Sequence, residues 1–258
     1  MRGSSPIDVL PFWAVFAVAA LVMLAAAEAG YRVGLFRRAR GDDEKEAPVG
    51  GMVAATIGLL AFILAFTFNL AATRLDVRRD LVLREANALG TSYLRAATLP
   101  ERGAEIRALL RRYTDVRLEA AQQADIAPQR RESEELQTRL WAEAVALARA
   151  HDNSIIVGLF IQSLNEVIDV HGMRIGALRR RIPAAIWVAL LTLGLISFAT
   201  MGYHAALTQT RRSPAALAIT VCFTVVIVLI VDLDRPFEGL LRTSQQPLID
   251  AREGMTEP

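Results

Sequence analysis

The densest run of side chains able to bind or titrate is Asn165-Glu166-Val167-Ile168-Asp169-Val170-His171. On a helix, Asn165 and Asp169 share a face one turn apart, while His171 falls on an apolar stripe. Asp169 and His171, two residues apart, point in different directions. That argues against a shared metal ion and for hydrogen bonds to neighbouring helices, with Glu85 and Asn87 as partners. The alternative is a ligand or ion site built from Glu85, Asn87, Asn165, Asp169 and His171. Other chemistry is sparse. His151, His171 and His204 are far apart in sequence, and Cys222 is the single cysteine, so neither an intrachain disulfide nor a Cys/His metal pair is available. No glycine-rich phosphate loop and no Gly-x-Ser-x-Gly elbow occurs. The expectation is a protein with no catalytic residues, no metal and no enzymatic activity.

Long helices must hold that cluster. Four apolar runs, Val9–Ala27, Val49–Ala72, Ile182–Ala206 and Pro214–Val231, each approach or exceed the ~20 residues that carry a helix across the hydrocarbon core. Four such runs are more than a soluble core of 258 residues could bury. They lack period-two alternation, and lipid tolerates only helices or closed barrels. The fold class is therefore an all-α membrane protein. It has four transmembrane helices and a helical cytosolic domain built from extensions of the membrane helices.

The expected organisation is a transmembrane pair in residues 1–73, with spans at about 9–29 and 49–73. A helical cytosolic domain follows at 74–181, then a second pair at 182–235 with spans at about 182–206 and 214–232, and a cytosolic tail at 236–258. The first run exceeds a signal-peptide core and is followed by Arg32, Arg37 and Arg38, so it reads as a retained helix. Basic residues set the orientation. Arg2, Arg74, Arg78, Arg79, Arg84, Arg174, Arg179, Arg180, Arg181, Arg235 and Arg242 fall inside if both termini are cytoplasmic. Arg32, Arg37, Arg38, Arg40, Lys45, Arg211 and Arg212 are the opposing set, so the excess places termini and central domain in the cytoplasm. The net charge of +2 is too small to imply a nucleic-acid partner.

Between Arg74 and Arg181 four stripes repeat at i, i+3, i+4. They are Val82, Ala86, Leu89, Tyr93, Ala97; Ile106, Leu109, Leu110, Tyr113, Val116; Leu136, Leu140, Ala144, Leu147, Ala148; and Ile156, Phe160, Leu164, Val167, Ile168, His171, Ile175. Nothing between Ala72 and Leu81 stops a helix, so the second membrane helix should run on to Leu99. The fourth stripe should feed into the third membrane helix through Arg179-Arg180-Arg181-Ile182-Pro183.

Within the second apolar run, Gly58, Phe62 and Phe66 lie one turn apart, and Asn69 and Thr73 adjoin them near the membrane exit. Around a symmetry axis, such rings would form an apolar constriction of the kind that gates by dewetting. The motif Phe62-Ile63-Leu64-Ala65-Phe66, with Thr73-Arg74 beyond it, resembles the pore-lining helix of bestrophins. Val231-Asp232-Leu233-Asp234-Arg235-Pro236-Phe237-Glu238-Gly239 resembles the acidic segment after their last membrane helix. The chain is identified as a member of the bacterial bestrophin-like domain family by Glu85-Ala86-Asn87-Ala88-Leu89-Gly90-Thr91, the Leu164–His171 segment and Asp234-Arg235-Pro236-Phe237.

The resemblance implies a homo-oligomeric, pentameric ion channel in the bacterial inner membrane, with the lipid bilayer and small ions as its partners. Phe62 and Phe66 would be neck residues; Gly58 departs from a normally bulky neck position. Asn69 and Thr73 would be polar pore residues. Calcium-gated members carry an unbroken acidic run, whereas here Leu233, Arg235 and Pro236 interrupt Asp232, Asp234 and Glu238. No cofactor is therefore expected. The alternative function is a non-conducting membrane scaffold or signalling protein, binding partners through an apolar patch at Leu109, Leu110 and Tyr113.

Overall fold

The computed structural model describes residues 10–41, 45–99, 101–123, 126–210, 214–235, 241 and 243–256. Among the described residues there are helices and no strands: α1 (Phe12–Ala39), α2 (Glu46–Ala96), α3 (Gly103–Gln122), α4 (Ala127–Ala150), α5 (Ile155–Arg179), α6 (Ala184–Leu207), α7 (Pro214–Asp234) and α8 (Gln246–Glu253). α1, α2, α6 and α7 contain the four stretches long and apolar enough to cross a membrane. The chain forms two compact units. One comprises Met1–Thr73 and Arg181–Arg235, the other Arg74–Arg180 and Pro236–Pro258.

Helix ends follow local chemistry more closely than hydropathy. α1 continues through Arg32, Arg37 and Arg38 to Ala39, ten residues beyond the expected end of its span. Arginine is a good helix former, Arg37 and Arg38 complement the dipole in the last turn, and Arg32 bonds Glu28 one turn back at 2.8 Å. α2 is a single helix of 51 residues, about 75 Å at 1.5 Å per residue, and stops at Ala96. α5 and α6 are separate helices. Pro183 disfavours helical geometry at Ile182, so α5 closes at Arg179 and α6 opens after Pro183.

In the first unit α1 packs against α6 and α7. Lipid offers no hydrophobic drive between helices, so close backbone approach must supply the dispersion contacts. Glycine permits it here. A Cβ on Gly30 would overlap the Ala199 carbonyl, one on Gly202 the Ala27 carbonyl, and one on Gly34 the Ala206 methyl. α6 also reaches α2: Ser197 Oγ donates to the Thr56 carbonyl at 3.1 Å, and the Thr56 and Thr200 hydroxyls lie 3.4 Å apart. Trp13, Leu21 and Val188 stay exposed on the chain, as apolar groups that face lipid or another subunit do.

In the second unit the C-terminal half of α2 joins α3, α4, α5 and α8 around a core that includes Leu89, Ile106, Leu110, Leu140, Phe160 and Leu164. The expected stripes supply most of it, but Ala97, Ala148 and Ile156 are exposed. Leu109, Leu110 and Tyr113 are buried, which removes the apolar surface patch expected for a scaffold; they face the core because their stripe is the seam of α3. Nor is the C-terminal segment a mere tail. Leu248 and Met255 are buried in the same core, Tyr93 donates to the Thr256 carbonyl at 2.8 Å, and Arg252 grips Asp115 through Nε at 2.6 Å and Nη2 at 3.2 Å.

The reciprocal glycine contacts give a test. Gly202→Ala should lower the melting temperature and the yield of folded protein, because a rigid backbone carbonyl opposes the new methyl and overpacking costs ~1–3 kcal/mol. Gly51→Ala, where a Cβ meets nothing within 4 Å, should be neutral or slightly stabilising. Equal behaviour of the two variants in a detergent melting assay would refute the close-approach account.

Candidate functional site

Two groups of polar and aromatic side chains stand out, one in each unit. In the first unit the N-terminal part of α2 is two-faced. Leu60, Leu64, Thr67 and Ala71 are buried, whereas Gly58, Phe62, Phe66, Asn69 and Thr73 share the exposed face, with Phe62 at 65% and Phe66 at 63% exposure. A Cβ on Gly58 would meet open space, and the Thr73 hydroxyl bonds the Asn69 carbonyl at 2.9 Å. The expected neck and polar residues thus lie on one continuous stripe of a single helix.

At the end of α7, Asp232, Asp234 and Arg235 are buried. Asp234 Oδ1 accepts the Ile182 amide at 3.0 Å, its Oδ2 is 3.8 Å from Arg181 Nη1, and its carbonyl accepts from Arg181 at 3.3 Å. This carboxylate fastens the last turn of α7 to the segment that opens α6. Arg235 donates to the Leu10 carbonyl at 2.7 Å and stacks 4.6 Å above the Phe12 ring. Glu238, the third acid expected in this segment, lies outside the described residues.

The second unit contains a buried polar network centred on Glu85, which is fully buried. One carboxylate oxygen accepts Arg117 Nε at 2.9 Å, and the other is bound by Arg174 Nη1. Tyr113 donates to Glu85 at 3.4 Å, lies 3.0 Å from His171 Nδ1 and accepts from Gln137 at 3.2 Å. With the one phenolic proton directed at Glu85, the consistent assignment puts the His171 proton on Nδ1. Nε2 is then a buried acceptor without a partner.

Electrostatics fix the charges. Burial disfavours the Glu85 carboxylate, but Arg174 and Arg117 outweigh it and hold its pKa below the usual value. Burial opposes the Arg117 charge as well, and the Glu85 carboxylate more than restores it. Burial and the Glu85 charge push the Tyr113 hydroxyl far up, so it stays a neutral donor. Burial and Arg117 lower His171 to about 4, with Arg174 and Arg130 adding to the effect and Glu85 opposing it. The network is a clamp between α2, α3 and α5 made of one anion, two cations and neutral linkers. It holds no nucleophile activated by a base. Among the described residues no group of three His, Cys, Asp or Glu side chains lies close enough to hold a metal ion.

Of the five residues expected to form a polar network or ion site, Glu85 and His171 are buried and meet through Tyr113, while Asn87, Asn165 and Asp169 are exposed. Sequence reading missed Tyr113, Arg117, Gln137 and Arg174 as members. A signal was available for two of them: Arg117 interrupts the core seam of α3 one turn after Tyr113, and Arg174 follows His171 by three residues. A charged residue on a buried stripe requires a buried partner.

These features define an all-helical membrane protein whose long second helix is shared between an apolar unit and a polar one. The Bestrophin-like domain matches residues 19–248, and the chain belongs to that family. Solved structures share the fold. A bacterial Bestrophin homolog from Klebsiella pneumoniae, solved as a point mutant, superposes with a TM-score of 0.65 at 18% identity, covering 93% of this chain and 94% of that one. Another structure of a Klebsiella pneumoniae homolog gives 0.64 at 18% identity over 95% and 96% of the two chains. A structure described as a membrane protein gives 0.64 at 18% identity over 93% of each. No curated protein matches this chain.

The lowered His171 pKa has a consequence for stability. The folded state takes up fewer protons than the unfolded chain between about 6.5 and about 4. The stabilising contribution of neutral His171 should be complete above pH 6.5 and lost as the pH falls through 4, worth up to ~3 kcal/mol. His171→Gln should flatten that part of the melting-temperature profile. Wild-type and variant profiles that fall in parallel would show that His171 does not report on this pH window.

Proposed function

We propose that the protein is a homo-oligomeric ion channel of the bacterial inner membrane, with α2 lining the conduction axis. One observation carries the reading: on a single chain the face bearing Gly58, Phe62, Phe66, Asn69 and Thr73 is open, while the opposite face of α2 is already buried. Membership of the Bestrophin-like family and the shared fold support it. In the proposed assembly, five copies bring Phe62 and Phe66 into two stacked apolar rings. Water leaves such a constriction readily, because wetting it has no hydrogen-bond compensation. Gly58 contributes no ring and widens one end. Asn69 and Thr73 supply polar groups at the other, where ions regain hydrogen-bonding partners.

No catalytic role and no cofactor belong to this proposal. Asp234 already serves the Ile182 amide and Arg181, which argues against its use as a calcium ligand. The termini and the polar unit are assigned to the cytoplasm on the distribution of arginines. The scaffold alternative loses its main support with the burial of Leu109, Leu110 and Tyr113.

The channel reading is tested by bilayer recording of purified oligomers under matched ionic conditions. Phe62→Ala/Phe66→Ala should give larger or more persistent currents than wild type, because the dewetting barrier falls. Absence of current from both proteins, with intact oligomers verified by native mass, would defeat the reading; a monomer would do so as well. Orientation is tested separately with Gln122→Cys in a Cys222→Ala background. Position 122 is exposed, so it should react with an impermeant thiol reagent only after cell lysis. Labelling in intact cells would reverse the topology.

A further inference from the structure

His171 is a buried titratable group for which the proposed conduction path has no use. Its ring is held on one side only. Nδ1 lies 3.0 Å from the Tyr113 hydroxyl, and the two rings meet tilted at 57° with centroids 6.2 Å apart. Nε2 is buried and has no partner. The hydrogen-bonding positions next to the ring are already taken. The Tyr113 oxygen donates to Glu85 and accepts from Gln137 as well as from His171. Glu85 Oε1 receives Arg117 Nε and the Tyr113 hydroxyl, and Oε2 receives Arg174 Nη1.

A proton arriving at Nε2 creates a buried donor that has no acceptor. It also creates a charge among charges that already have their counterparts. The charged and titratable groups acting on the ring are Glu85 from α2, Tyr113 and Arg117 from α3, Arg130 from α4, and Arg174 further along α5. Arg117 and Arg174 are bound to Glu85, and Arg130 Nε lies 3.6 Å from Glu134 Oε1. A charged group without a partner is strongly disfavoured inside a protein, so the imidazolium must reach water. The backbone allows α5 to carry it there. Non-helical geometry bounds this helix at both ends, with Asn153 at φ 65° ahead of the Ser154 cap and Arg180 extended at φ −76°, ψ 113° after Arg179. Such joints absorb the rotation of a helix that stays intact.

We propose that His171 is a proton-sensing latch of the polar unit: a proton on Nε2 unseats the ring from Tyr113 and parts α5 from α3 while the helices stay folded. The proposal does not depend on ion conduction. It is tested on full-length protein in detergent, in the Cys222→Ala background. Val167→Cys places a thiol one turn from His171 on the same buried stripe, and Gln122→Cys supplies an exposed reference. Both are timed against 4,4′-dithiodipyridine from about pH 7.5 to about pH 4.5, and the ratio of the two rates removes the pH dependence of the thiol reaction itself. Burial and Arg117 lower the His171 pKa from 6.5 to about 4, so protons favour the parted form increasingly as the pH falls below 6.5. The ratio should rise about tenfold or more by about pH 5, with helicity by circular dichroism unchanged. His171→Gln should hold it flat, and His171→Leu decides if the first variant does not fold. A flat ratio with His171 present, a rise that persists in a folded variant, or a rise that coincides with loss of helicity overturns the proposal.

Discussion

A single stripe of α2, running through Leu60, Leu64, Thr67, Ala71, Leu75, Arg78, Val82, Glu85 and Leu89, is buried along nine successive turn-spaced positions. Within each unit, the neighbours packed on its part of the stripe fix which face of α2 turns inward. The stripe begins apolar and gains Arg78 and Glu85 beyond Thr73. Its register therefore cannot shift by a residue without withdrawing Glu85 from Arg117 and Arg174. In the apolar unit, burial of Leu60, Leu64, Thr67 and Ala71 leaves Phe62 and Phe66 on the exposed face.

The charged part of that stripe is held by compensation. Removing one partner from a buried ion pair costs ~3–5 kcal/mol, far more than the pair itself contributes, because the other charge stays uncompensated. Glu85 therefore specifies the arrangement of α2, α3 and α5 more than it stabilises it. Tyr113 and His171 extend the network with neutral groups, as a site already carrying two guanidiniums requires.

The apolar unit solves a different problem with different residues. Its helices are held by glycines and small hydroxyl side chains: Gly30 against Ala199, Gly202 against Ala27, and Ser197 on the Thr56 carbonyl. Both solutions follow from the same rule, that a buried polar group must be satisfied and a buried contact must be close. One is met with charge pairs and the other with backbone proximity.

The architecture was legible in the sequence because it rests on local properties. Apolar run length, the absence of breakers from Ala72 to Leu81, and the i, i+3, i+4 stripes are written residue by residue, and the helices of both units follow them. Helix ends were less legible: hydropathy stops near Ala27, but arginines carry α1 to Ala39. Tertiary structure alone decided which polar residues meet. Asn165 and Asp169 share a face by spacing, yet that face is exposed, while Glu85 finds Arg117 and Arg174 across 32 and 89 residues of chain. The capture of Leu248 and Met255 by the core was equally hidden, since one short helix carries too few apolar residues to announce a buried face. Periodicity reports which side of a helix is buried; only packing determines what lies opposite it.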